Sequence, residues 1–254
     1  MRFRNWVAII LLAMISLPAA AFDSVDGQID HYLVILEGTD QRAKITMLKR
    51  LQWSGLSEPR LFDAIEAAPL AVIDIKKPDK LTLQDAAHKI RALGYSGTEK
   101  YRASLAQLKQ NAANRKIRRH AAKALLDLDK FGRWNRQIAN SNVHVEGKSA
   151  EVTNYMKMLG VDDVLVQRLA ARAIFHEQRK DSDLLDMVAE KLQAMHAREG
   201  LNGAAQDTGA WYVKALGQSG KYRDLLVRVN QNSPYKNQNS PYKKIKKHAL
   251  KFIQ

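Results

Sequence analysis

Between Arg115 and Asp129 apolar and charged positions recur in steps of three and four. Ile117, Ala121, Ala124, Leu125 and Leu128 fall on one face of a helix, while Arg115, Lys116, Arg118, Arg119 and Lys123 fall on the opposite one. The alternation returns near the end of the chain, where Ile245, Ala249, Phe252 and Ile253 oppose Lys243, Lys244, Lys246, Lys247 and Lys251. Shorter runs keep the same period. Residues 44–53 form an amphipathic run that ends at Ser54-Gly55, and Glu58-Pro59 opens the next helix. Residues 125–131 are expected to stop at Gly132, before Trp134, and a run over 161–176 precedes another over 181–195. Only residues 70–75 and 143–145 carry a strand signal, so the pattern predicts an all-α chain.

Two of these helical stretches are copies. Ala92-Leu93-Gly94-Tyr95-Ser96-Gly97 is answered 123 residues later by Ala215-Leu216-Gly217-Gln218-Ser219-Gly220. Lys100-Tyr101-Arg102 is answered by Lys221-Tyr222-Arg223, and Lys116-Ile117-Arg118-Arg119-His120-Ala121 by Lys244-Ile245-Lys246-Lys247-His248-Ala249. From Tyr101 to Ile117 is 16 residues and from Tyr222 to Ile245 is 23, a difference of seven that matches a tandem copy, NQNSPYK, at 230–236 and again at 237–243. Asn, Ser and Pro suit a surface turn, and lengthening a loop costs little entropy, so the copy reads as an extended loop. Each module is expected to run helix, Ser-Gly stop, helix, turn, helix, with the glycine supplying a left-handed cap.

These modules, clearest over 85–126 and 208–253, resemble the HEAT-like helical repeats. That family's A-L-G helix end, glycine turn, leucine-bearing second helix and V-R-x-x-A-x-x-A-L run are similar to Ala92-Leu93-Gly94, Gly97, Leu105 and Ile117-Arg118-His120-Ala121-Ala124-Leu125. The second copy matches through Ala215-Leu216-Gly217, Gly220, Leu225 and Ile245-Lys246-Ala249-Phe252-Ile253. Where the family commonly has a turn aspartate, this chain has Asn111 and Asn239. The resemblance implies an α-solenoid of stacked antiparallel helix pairs, about five of them, occupying 22–254 and presenting a long surface to macromolecules.

Charge adds a second layer. The formal net charge is +15, yet residues 100–126 and 225–254 contain no Asp or Glu at all. Those two windows hold the excess, and the remainder is nearly balanced. The start of the chain, with Arg2 and Arg4 before the apolar run 6–17, then Pro18 and Ala19-Ala20-Ala21, reads as an export leader cleaved after Ala21. Its apolar run is shorter than the roughly 20 residues that cross a bilayer. A periplasmic or secreted protein is therefore expected, with no transmembrane segment in the mature chain and, lacking cysteine, no disulfide.

Motifs of catalysis do not assemble. Gly147-Lys148-Ser149 lacks the glycine a phosphate loop needs at 142, where Asn142 stands, so Ser149 is expected to cap a helix with Glu151 in its first turn. The seven histidines, His31, His88, His120, His144, His176, His196 and His248, show no metal-ligand spacing, and His120 and His248 are expected to pack at repeat junctions. Asp162-Asp163, Asp127/Asp129 and Asp181/Asp183 fit helix starts or exposed turns. Trp53, Trp134 and Trp211 are expected as core wedges. No catalytic residue, metal or cofactor is therefore assigned. The candidate binding residues are the two basic arcs, Arg115, Lys116, Arg118, Arg119 and Lys123 with Lys243, Lys244, Lys246, Lys247 and Lys251. The expected function is a non-catalytic scaffold or adaptor for a protein partner with an acidic surface. The alternatives are a binder of lipopolysaccharide, anionic lipid or extracellular DNA, and an enzyme or accessory of cell-wall or nucleic-acid metabolism.

Overall fold

The computed structural model describes residues 22, 24–143, 145–198, 201–231 and 243–253. The expected leader 1–21 with its cleavage after Ala21, His144, Asn239 and most of the duplicated NQNSPYK loop lie outside the described residues. Among the described residues there are twelve α-helices and no strand. They are α1 (Val25–Glu37), α2 (Gln41–Ser54), α3 (Pro59–Ala71), α4 (Lys80–Tyr95), α5 (Arg102–Asn111), α6 (Arg115–Ala139), α7 (Ala150–Gly160), α8 (Val164–His176), α9 (Ser182–His196), α10 (Gly203–Gly217), α11 (Arg223–Gln231) and α12 (Lys243–Ile253). The strand signal at 70–75 is overridden by the end of α3 and a turn, because Leu70 and Val72 carbonyls accept from Ile73 and Ile75.

Side chains at the helix starts set the boundaries. Asp40, Asp79, Asp163, Asp181 and Asn202 each accept a first-turn backbone N–H, as does Ser149 from Val152. Such a cap contributes about 1 kcal/mol to its helix. The positions are themselves a pattern: Asp40 and Asp163, and Asp79 and Asn202, are 123 residues apart, the interval that separates the two Ala-Leu-Gly modules. Left-handed backbone recurs at the same interval, at Gly55 and Gln178 and at Gly97 and Gly220. The duplication thus covers α1–α6 and α7–α12 rather than the two clearest modules alone.

The Lys-Tyr-Arg echo is a pair of matching clamps. Tyr101 donates to the Pro59 carbonyl at 3.3 Å and to Asp63 at 2.8 Å, and Lys100 reaches the same carboxylate at 2.6 Å. Tyr222 donates to the Ser182 carbonyl at 3.4 Å and to Asp186 at 2.8 Å, with Lys221 on that carboxylate at 3.0 Å. These bonds, the lysine's first, hold the Asp63 and Asp186 carboxyls below the usual carboxylate range.

The helices pack as six pairs, α1 with α2, α3 with α4, and so on to α11 with α12. The even-numbered members touch in the order α6, α4, α2, α8, α10, α12, a row that reads alike from either end. At its centre equivalent residues meet each other. Gln28 donates to Glu151 at 3.0 Å, and Trp53 stacks on His176 at 5.6 Å between centroids, both pairs 123 residues apart. Contact between a residue and its own equivalent is the mark of a two-fold, isologous arrangement. One contiguous apolar core joins both halves.

Close approach explains the repeated small residues. A Cβ on Gly94 would lie 2.7 Å from the Ala124 carbonyl oxygen, so α4 and α6 touch backbone to backbone. Gly97, at φ +64°, takes the left-handed turn, and a Cβ there would lie 2.4 Å from the Gly132 nitrogen. That contact corrects the expected stop at Gly132. The glycine sits inside α6, which continues to Ala139, because it must admit the turn at Gly97 rather than end a helix.

Candidate functional site

The even-numbered row carries a succession of cationic side chains. On α6, burial and then Arg91, Arg119 and Lys123 lower the basicity of His120. On α4, burial and then Lys49, Arg91 and His120 do the same to His88. Tyr95 feels both Arg91 and Arg172, which links the two halves. On α8, burial and Arg168 lower Arg172, while burial, Arg172 and Lys214 lower His176. Burial, Lys251 and Arg172 lower Lys214 on α10, and burial, Lys214, Lys251, Lys247 and Lys244 lower His248 on α12. Within each half like charges disfavour protonation of one another, and Tyr95 is the group that feels cations of both halves.

Aromatic rings floor the middle of this succession. The Arg172 guanidinium lies 5.5 Å from the Trp53 ring and 5.3 Å from the Trp211 ring, within cation–π range of both. His176 lies 5.6 Å from each indole, and Lys214 Nζ stands 3.7 Å above Trp211. Three donors here, Trp53 Nε1, Arg91 Nε and Arg172 Nε, are buried with no acceptor among the described residues. A buried N–H without a partner is uncommon in native structures, and these are donors that only an acceptor can satisfy.

The sequence-derived residues occupy the two ends of the row. Lys116 lines a cleft with His88, Arg91 and His120; Arg119 and Lys123 neighbour His120; Lys247 and Lys251 neighbour His248. Arg115 and Lys243 are exposed and Lys246 is partly buried. Two arc residues are engaged within the fold. Arg118 donates to the Ala112 and Ala113 carbonyls at 2.6 and 3.2 Å, pinning the α5–α6 turn, and Lys244 is ion-paired with Asp207. The arcs are not side by side. Four helices separate them, five interaxial steps of about 9 Å each, or about 45 Å along the row.

Sequence reasoning missed what lies between: Lys49, His88, Arg91, Arg172, His176 and Lys214. Trp53 and Trp211, expected as core wedges, are partly buried and packed against the core, and each also lies beside Arg172. Trp134 is buried and donates to Asp163 at 2.8 Å. His120 and His248 are half-buried and face cationic neighbours. The 123-residue interval was the available signal, since Arg91 and Lys214, and His88 and Trp211, hold equivalent positions.

A second polar assembly lies at the junction of the halves, where Glu151, in the first turn of α7 as expected, is also drawn into the interior. This side chain is 4% exposed, takes its bond from Gln28, and is ion-paired with Arg179. Arg179 also reaches Glu177 at 2.9 Å, which accepts from Tyr155 at 2.8 Å. Burial raises the Glu151 carboxyl above the usual range against the opposing pull of Arg179. Burial likewise pushes the Tyr32 hydroxyl up to about 12.

Among the described residues no cluster of three or more His, Asp or Glu is arranged to hold a metal ion, and no helix is long and apolar enough to cross a membrane. No family model matches the chain, and neither the curated proteins nor the solved structures contain a match to it.

Proposed function

We propose that this protein is a non-catalytic binder of an extended polyanion, exported from the cytoplasm, and that its two halves form a HEAT-like helical solenoid. The observation that supports this most is the pair of cationic sets along the row, His120 with Arg91 in the first half and Arg172 through Lys214 to His248 in the second, which meet across Tyr95 and are floored by Trp53 and Trp211, with buried N–H donors without acceptors among the described residues. A ligand with anionic groups repeated along its length matches charges spread over six helices better than one compact acidic patch does. The indoles add stacking and apolar contact where the ligand crosses the centre.

The test is binding to heparin, lipopolysaccharide and duplex DNA at several salt concentrations, with wild type compared against Arg91→Gln/Arg172→Gln/Lys214→Gln. For duplex DNA each neutralised phosphate contributes about −0.9 to the slope of log K against log salt, so the triple variant should flatten that slope by about 2.7. Heparin and lipopolysaccharide should weaken in parallel if charge spacing governs recognition, and the tightest of the three identifies the natural source. An unchanged slope in the triple variant refutes the role given to the centre of the row.

A further inference from the structure

The two halves differ at one place on this face, and the difference outlines a discrete site. In the second half Asp207 on α10 is ion-paired with Lys244 on α12, with Arg168 at 3.6 Å from the same carboxylate, and Trp211 stands one turn further along α10. The equivalent residues in the first half are Gln84 for Asp207, Lys116 for Lys244 and His88 for Trp211, while Arg91 stands for Lys214 and His120 for His248. The first half thus has cations or imidazoles at 91, 116 and 120, with Ile45 in place of Arg168, and neither the carboxylate nor the indole.

What remains is an open cleft of about 400 Å³ between α4 and α6. Lys80, Gln84, His88, Arg91, Lys116 and His120 line it, with Leu83 and Ala87 as an apolar side and no carboxylate in the lining. Arg91 Nε is buried there with no acceptor among the described residues. We propose that this cleft binds a small phosphate monoester, its phosphoryl group taking the place that the Asp207 carboxylate holds in the second half. The donors are too many for a carboxylate alone. A guanidinium, two ammonium groups, two imidazoles and an amide match three phosphoryl oxygens carrying nearly two charges. The volume exceeds that of bare phosphate, so the ester's organic group lies against Leu83 and Ala87. The inference deepens the reading of this face as an anion binder, but it concerns a ligand one helix pair wide.

The full chain is titrated with inorganic phosphate, phenyl phosphate and acetate, following the imidazole resonances of His88 and His120 by NMR and the heat of binding by calorimetry. Both phosphates should shift the two imidazoles saturably, with phenyl phosphate binding several-fold tighter than phosphate and acetate at least tenfold weaker. The diagnostic variant is Gln84→Asp, which installs the second half's carboxylate opposite Lys116. It should keep the wild-type melting temperature or raise it, and weaken phenyl phosphate at least tenfold. Absence of saturable shifts in wild type, acetate equal to phosphate, or undiminished binding in a folded Gln84→Asp protein would each overturn the proposal. Heparin affinity measured on the same samples separates the two readings. Phosphate binding without heparin binding overturns the polyanion reading alone, and heparin binding without phosphate binding overturns this one alone.

Discussion

Replacing Arg179 by methionine leaves two carboxylates facing each other inside the protein. Arg179, Glu151 and Glu177 have side chains 9%, 4% and 3% exposed, and the guanidinium bridges both acids at the junction of the halves. Methionine is apolar and nearly fills the space, so the cavity contribution is small and the loss is electrostatic. Removing one partner of a buried ion pair destabilises by about 3–5 kcal/mol. In a chain of this size each kcal/mol lowers the melting temperature by about 2–4 °C, which gives a fall of roughly 10–15 °C. The pH dependence has a definite sign. Glu151 already has a raised carboxyl pKa, and the variant removes Arg179, the group that opposes the rise. A carboxyl whose folded pKa is raised contributes stability at low pH and loses it as pH climbs through the folded value, so the variant should be worst above neutrality and approach wild type near pH 5. Urea and thermal unfolding between pH 5 and 8 provide the measurement, and adding Glu151→Gln and Glu177→Gln to Arg179→Met should restore most of the loss. A variant within about 1 kcal/mol of wild type at pH 7.5, or a deficit that does not change with pH, would refute the reasoning.

Two further outcomes follow from the duplicated architecture. Gly97→Ala and Gly220→Ala both force alanine into a left-handed turn at about 1–2 kcal/mol, but only the former meets a backbone, its Cβ 2.4 Å from the Gly132 nitrogen, whereas Gly220 has nothing within 4 Å. Gly97→Ala should therefore unfold at clearly lower temperature than Gly220→Ala, and equal losses would contradict the close approach of α6. Asp63→Asn combined with Asp186→Asn should lower stability near neutrality and converge with wild type as pH falls below about 4. A depressed carboxyl contributes stability above its ordinary pKa and loses it as pH falls through the folded value, and a melting-temperature profile from pH 3 to 7 reads this directly.

Much of the helical grammar was visible in the chain. Ser54-Gly55 ends α2, Glu58-Pro59 opens α3, and Ser149 caps α7 as periodicity and cap chemistry require. Gly132 misled because a glycine in a helical run signals a stop when read locally, whereas its cause is a turn 35 positions away in sequence at Gly97. The basic arcs were legible because eight and seven cations crowd windows without an acid. The centre of the face was not, because Lys49, Arg91, Arg172 and Lys214 come singly from four helices and only the row order brings them together. Glu151 looked like an ordinary first-turn acid because its partners, Gln28 and Arg179, come from the other half and from the α8–α9 turn. The same 123-residue interval that marks the Ala-Leu-Gly modules also marks Asp40 and Asp163 and Asp63 and Asp186, so a search at fixed offset, rather than for similar words, would have found the whole duplication.

The central claim is that the two basic ends and the residues between them grip one ligand. The most direct measurement is affinity for rigid DNA duplexes of 6 to 24 base pairs at fixed salt. At about 3.4 Å per base pair, a row about 45 Å long is spanned by about 13 pairs. Affinity should climb steeply up to that length and then rise only with the number of equivalent positions, and the Arg91→Gln/Arg172→Gln/Lys214→Gln variant should lower the climb. Affinity that is already at its limit with 6 base pairs, or a length dependence untouched by the triple variant, would contradict the claim.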